Sequence, residues 1–209
     1  MKRWERLKAY REERGYPWFT LPWDLNLFVI RDDVVGTWGD LVVLTCVDDS
    51  GRRIVQRVRA TGDASEDEWL NPTHPDGCNY VLDQHVPGGL ILGEHKGRPA
   101  LRQQKSFLNV RWPANGTIPS VSQLEARAAT GHSFVDIRGT HLHNNWDGKA
   151  PEKPRPGESE SCTVSLWRHQ HAAMIELVKQ QFMFRGSTVV SPTFLKRADI
   201  PGLDQEEED

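Results

Sequence analysis

The chain is short of cysteine, of charge of one sign and of long apolar runs, and each shortage closes off a class of protein. Its three cysteines, Cys46, Cys78 and Cys162, are an odd number without close pairing. That argues against a disulfide scaffold and for a reducing compartment. A formal charge of −3 gives no electrostatic reason to expect nucleic acid or an anionic membrane surface as partner. Acids and bases interleave in stretches such as "KRWERLKAYREERG", the pattern of a solvated surface. There is no apolar run of about 18 residues to cross a bilayer and no N-terminal secretory signal. The expectation is therefore a product that is cytoplasmic when made, inserts into no membrane, and acts on anything outside only if released. HExxH and paired CxxC spacings are both missing, as is any internal repeat.

What is present is enough for a core: 209 residues, 37% of them apolar, with one large domain as the first expectation. "KRWERLKAYREER" predicts a helix with Trp4, Leu7 and Tyr10 on one side, ended by Gly15 and Pro17. Short β-like runs follow ("LNLFVIR", "DLVVLTCV", "RRIVQRVRAT", "GLILGEH", "SFLNVRW"), separated by turn residues. Their regular spacing predicts an antiparallel, mainly β core with flanking helices, an α+β fold. "PSVSQLEARAATG" has room for a short helix, and "SFVDIRGTHLH" resumes alternation. After a proline-rich polar loop, "SLWRHQHAAMIELVKQQFMF" predicts a helix with Leu166, His169, Ala173, Leu177 and Phe184 near one face. The divisions are residues 1–20, a helix and linker; 21–200, the main domain; and 201–209, an acidic tail ending "DQEEED".

Chemistry concentrates near Cys162, at the end of the polar stretch "GESESC". Cys46 sits in an apolar run and reads as an inert buried thiol, and Cys78 in "HPDGCNY" as a surface or half-buried one. Cys162 stands where a loop becomes ordered, with His143 ending a strand-like segment one loop earlier. A thiol nucleophile needs a base and donors for the developing oxyanion. His143 is the candidate base, the backbone N–H groups of Ser161 and Cys162 the oxyanion donors, and the Ser159 hydroxyl an orienting group. Trp146, between His143 and Cys162, is the tryptophan best placed to touch a ligand, whereas Trp38, Trp69 and Trp112 read first as packing. A packed thiol beside surface histidines is the ordinary alternative. "HLH" also puts His141 and His143 on one strand face, and His95 could complete three zinc ligands with an open position. His169 and His171 read as structural.

The order strand–His, polar loop, Ser-x-x-Cys, helix resembles the L,D-transpeptidase (YkuD-like) catalytic domain. The blocks "LNLFVIR", "GTWGDLVVL", "RATGDASEDEWLNP" and "LGEHKGRPALRQ", then His and Ser-x-x-Cys, run in the order of a compact phage and bacterial branch of that family, over about residues 24 to 180. The resemblance implies a β-sandwich or barrel core, Cys162 as nucleophile, His143 as general base and Ser159 as the first motif serine. Arg59 and His95, with His141 and Trp146, fall where substrate contacts are expected. Glu160 stands in place of the motif histidine, Ser161 in place of its glycine, and Val164 where an arginine is usual. It implies no cofactor or metal, and bacterial peptidoglycan stem peptides as partners. The implied reaction is a thioester acyl-enzyme resolved by water or an amine, hydrolysis (endolysin-like, in lysis or entry) being favoured over cross-linking. A non-enzymatic phage structural or wall-binding module on a degenerate fold is the second expectation, and a zinc hydrolase the third.

Overall fold

The computed structural model describes residues 2–136, 140–145, 154 and 161–203. Four helices are α1 (Arg3–Glu13), α2 (Glu66–Leu70), α3 (Val121–Arg127) and α4 (Arg168–Arg185). The strands are β1 (Asn26–Arg31), β2 (Asp40–Val47), β3 (Arg53–Thr61), β4 (Cys78–Val81), β5 (Gln84–His85), β6 (Leu90–His95) and β7 (Arg98–Gln103). They continue with β8 (Phe107–Trp112), β9 (Ser133–Asp136), β10 (Leu142–Asn144), β11 (Thr163–Ser165), β12 (Val189–Val190) and β13 (Pro192–Lys196). One sheet of ten strands runs β12-β6-β7-β10-β11-β3-β2-β1-β13-β5, and a small one runs β4-β8-β9.

All five β-like runs of the sequence are strands, so the mainly β, α+β reading holds. The expected antiparallel pairing needs correction at two places: β1 pairs with β13, and β10 with β11, in parallel. "SFVDIRGTHLH" also divides between the sheets, with β9 in the small one and β10 in the large one. Parallel neighbours need a long crossover, and period-2 patterning does not reveal it.

Strand alternation sorts the large sheet into two faces. On one, Leu27, Val42, Leu44, Val58, Leu101 and Leu142 pack with Met174, Ile175 and Val178 of α4. On the other, Phe28, Ile30 and Val43 pack with Leu7 and Tyr10 of α1. Helix α1 thus buries Trp4, Leu7 and Tyr10 as expected. It is pinned by Arg11, which donates to Thr193 Oγ1, Asn26 Oδ1 and the carbonyls of Pro17, Leu27 and Ser191.

Helix α4 exists, but its buried face differs from the one expected. His171, Met174, Ile175, Val178 and Gln181 point inward, whereas His169, Ala173 and Phe184 are exposed. Leu166 lies before the helix, beyond the end of β11, so counting from it rotated the predicted stripe. Cys78 is likewise buried, contrary to the surface or half-buried reading, with its Sγ 3.0 Å from the Glu68 carbonyl.

Candidate active site

The parallel pair β10–β11 sets Leu142 beside Thr163, His143 beside Val164 and Asn144 beside Ser165. The Thr163 N–H donates to the His141 carbonyl (2.8 Å), extending the pairing one residue toward Cys162. Continued by that residue, the register puts Cys162 beside His141 and diagonal to His143. Leu142 belongs to the α4-side core and Ser165 Oγ meets His171 Nδ1 of α4 at 3.2 Å. The alternate residues, His141, His143, Cys162 and Val164, therefore face away from α4.

A third histidine joins them from β6. The hairpin β6–β7 turns through Lys96 (φ 49°) and Gly97 (φ 74°), two left-handed residues that match a primed two-residue turn. This brings the His95 ring to 4.7 Å from that of His141 and 4.8 Å from that of His143, centroid to centroid. Three expected site residues from two distant segments are thus assembled with Cys162 on the neighbouring strand.

The two histidines of "HLH" carry their protons on different nitrogens. His143 Nδ1 lies 2.8 Å from the Asn144 carbonyl, which can only accept, so Nδ1 holds the proton and Nε2 the lone pair. His141 Nδ1 instead accepts the Gln103 N–H at 3.1 Å, which leaves its proton on Nε2. His143 can therefore take a proton where His141 can give a hydrogen bond. Burial pushes both rings down to about 4, and it also lowers His95, so all three are neutral at pH 7.

For His143, 1% exposed, this has a stability consequence. The native ring excludes a proton that the unfolded chain binds below about 6.5. Its contribution is full above that value and is lost as the pH falls toward about 4. Between pH 7 and 4.5 the loss is expected to be about 2–3 kcal/mol. Urea unfolding of wild type and His143→Gln at both pH values checks it: the variant should lose less stability on acidification, and equal losses would refute the assignment.

Supports behind the strands hold this arrangement. His171 Nε2 donates to the Pro99 carbonyl (2.9 Å), and Asn145 Nδ2 to the Leu166 carbonyl (2.5 Å). Gln103 accepts the Thr140 N–H (3.0 Å) and donates to the Lys105 and Asp136 carbonyls, clamping the approach to β10. Sequence reading passed over Gln103 and Asn145; their signal is tertiary, since neither stands in a motif spacing. Trp38 packs with Cys162, Val164 and Leu166.

The remaining expected residues are placed as follows. Cys162 is 8% exposed against 0% for Cys46, whose thiol burial pushes up to about 11. Among the described residues, positive φ outside glycine belongs to Trp23 and Lys96, so Ser161 has an ordinary backbone. The Ser161 N–H is bonded to no backbone carbonyl of the described residues. Val164 is fully buried and packs with Trp38, Cys162 and Leu166. Arg59 is exposed on β3, its Nε donating to the Trp38 carbonyl at 2.9 Å. Ser159 and Trp146 lie outside the described residues.

Among the described residues no three His, Cys, Asp or Glu side chains are placed to hold a metal ion, so the zinc reading gains no support from the ring cluster. No described helix is long and apolar enough to cross a membrane. No protein-family model matches the chain, and no curated protein or solved structure is significantly similar to it.

Proposed function

We propose that the protein is a cysteine-dependent enzyme acting on peptidoglycan stem peptides through a thioester on Cys162, with water favoured over an amine as the acceptor. The observation that carries this is the His143 tautomer: a proton-free Nε2 on the strand beside Cys162, on the same sheet face. In the reaction, His143 Nε2 accepts the thiol proton while Sγ attacks the carbonyl of the diamino acid at the third position of the peptide. The tetrahedral oxyanion receives hydrogen bonds from the Ser161 and Cys162 N–H groups. As the C–N bond breaks, the same proton passes to the departing D-alanine amine, leaving the thioester. A water then attacks the thioester as His143 Nε2 takes its proton; the C–S bond breaks, the proton returns from His143 to sulfur, and the peptide acid is released with the thiol regenerated. The His141 Nε2–H is a donor suited to anionic species on this face.

A neutral imidazole with a depressed pKa is a weak base, so thiol and imidazole rest uncharged and the proton moves as the substrate is attacked. This predicts a slow reaction with alkylating agents compared with a preformed thiolate–imidazolium pair. The test is incubation of the purified chain with muropeptides, read by intact mass. Loss of D-alanine or a broken cross-link is expected. Absence of every product, with sacculus binding retained, would transfer the assignment to a wall-binding module.

A further inference from the structure

Beyond the histidine cluster lies a groove of about 540 Å³ lined by Arg3, Arg57, Arg59, Arg197 and Trp38, with Asp32 and Asp40. Arg57 and Arg59 are two apart on β3, so they share one sheet face, and both are exposed. Among the described residues neither makes an ion pair. The Arg59 bond to the Trp38 carbonyl fixes its guanidinium with a neutral acceptor, which leaves the charge intact. The acids answer it only in part. Asp40 is buried, its two oxygens taken by the N–H groups of Asp32 and Gly62. Asp32 Oδ1 accepts the Asp33 N–H and keeps its charge, so one carboxylate faces the four guanidiniums of the groove.

A second, separate observation points to a ligand. Trp38 is 4% exposed, and its Nε1 has no hydrogen-bond partner among the described residues. A buried donor without an acceptor costs about 1–3 kcal/mol, so an acceptor brought by a ligand relieves it. Trp38 also packs against Cys162, which ties the groove to the thiol. The Arg59 carbonyl accepts the Leu166 N–H at 2.8 Å.

We propose that the Arg57–Arg59–Trp38 groove is a carboxylate-binding subsite that anchors the anionic end of an extended peptide whose reacting carbonyl lies at Cys162. The position of that carbonyl rests on the thiol chemistry proposed above; the carboxylate preference rests on the groove alone. Two guanidiniums and an indole N–H supply charge-assisted and neutral donors to one carboxylate, a set that an amide cannot engage as strongly.

The test separates the two ideas. In Cys162→Ala protein, a stem tetrapeptide with free carboxylates and the same peptide with them amidated are titrated while the indole N–H signals of the eight tryptophans are followed by NMR, Trp38 being assigned with Trp38→Phe. The free acid is expected to shift the Trp38 signal and to bind about 10-fold more weakly to the Arg57→Glu protein. Equal affinity for acid and amide, or an unmoved Trp38 signal, would overturn the subsite. In the active chain, Arg57→Glu should raise KM about 10-fold for the acid with kcat within about twofold, and leave the amide unchanged. Turnover with an unaltered KM for the acid sinks the groove and spares the thiol. Carboxylate-dependent binding without any thioester in the wild type sinks the thiol and spares the groove.

Discussion

Cys162→Ala is expected to lower turnover of a stem peptide by about a thousandfold or more while the unfolding midpoint stays within about 1 kcal/mol of wild type. The thiol lies at the rim of a small apolar cluster of Trp38, Val164 and Leu166, so losing one sulfur atom removes little packing. Under the proposed mechanism the other two thiols are poor alternatives: Cys46 is fully enclosed, and Cys78 is buried with its Sγ against the Glu68 carbonyl. Mass spectrometry of quenched reactions should find the acyl group on the peptide holding Cys162. Iodoacetamide should label Cys162 before Cys46, whose thiolate is disfavoured by burial. Full activity in the alanine variant, or equal labelling of the two thiols, would remove Cys162 from the mechanism. His143→Gln is expected to lower kcat by a smaller factor, since base catalysis contributes about 10²–10⁴-fold.

Arg31→Ala is expected to cost about 3–5 kcal/mol at pH 7.5, the penalty for stripping a buried charge network of its cation. The guanidinium is 1% exposed, bonds the Val81 carbonyl and Asp83, and stacks over the Tyr80 ring at 4.2 Å. Burial works against its charge, but Tyr80, Asp83, Asp40 and Asp63 outweigh that and hold its pKa above the ordinary value. The two enclosed acids are pushed toward their neutral forms. Burial raises Asp40 to about 6, and burial with the neighbouring Asp40 raises Asp63 well above the carboxylate range. Each ties down a loop: Asp40 holds Asp32 and Gly62, and Asp63 accepts the Gly36 N–H at 2.8 Å. Gly36 has φ 74°, and a Cβ there would sit 2.9 Å from the Glu66 nitrogen, so the loop bearing Trp38 depends on a glycine.

The pH dependence of that cost has a definite sign. A carboxylate whose native pKa is raised binds a proton that the unfolded chain releases, so its native state is favoured at low pH and loses that advantage as the pH rises through about 6. Without Arg31 the acids must be neutral to stay buried, so the deficit should shrink between pH 7.5 and 5. Taking the difference from wild type at each pH cancels the opposite trend of the histidines. Tryptophan-monitored urea unfolding gives both numbers; a deficit under about 1 kcal/mol, or one that does not shrink at pH 5, would dismiss the network.

The sequence by itself determined the strands and the candidate chemistry. Short continuous apolar runs bounded by turn residues made "DLVVLTCV" and "GLILGEH" into β2 and β6, the first of them covered on both faces. The capping box at Ser120 and Gln123 made "SQLEAR" helical for equally local reasons. "HLH" and the isolated Cys162 marked themselves as reactive types within one loop of each other. The tertiary structure decided what those residues face. Parallel pairing of β10 with β11 set the register of Cys162 against the two histidines, and the β6–β7 turn brought His95 from a distant segment to their side. Which nitrogen carries each proton was settled by a carbonyl at Asn144 and an N–H at Gln103, partners that no spacing in the chain announces. Local pattern fixes which residues line a strand face, since that depends only on backbone period. Proton position, burial and charge balance depend on which other strands lie within a few ångströms, and the fold alone determines those.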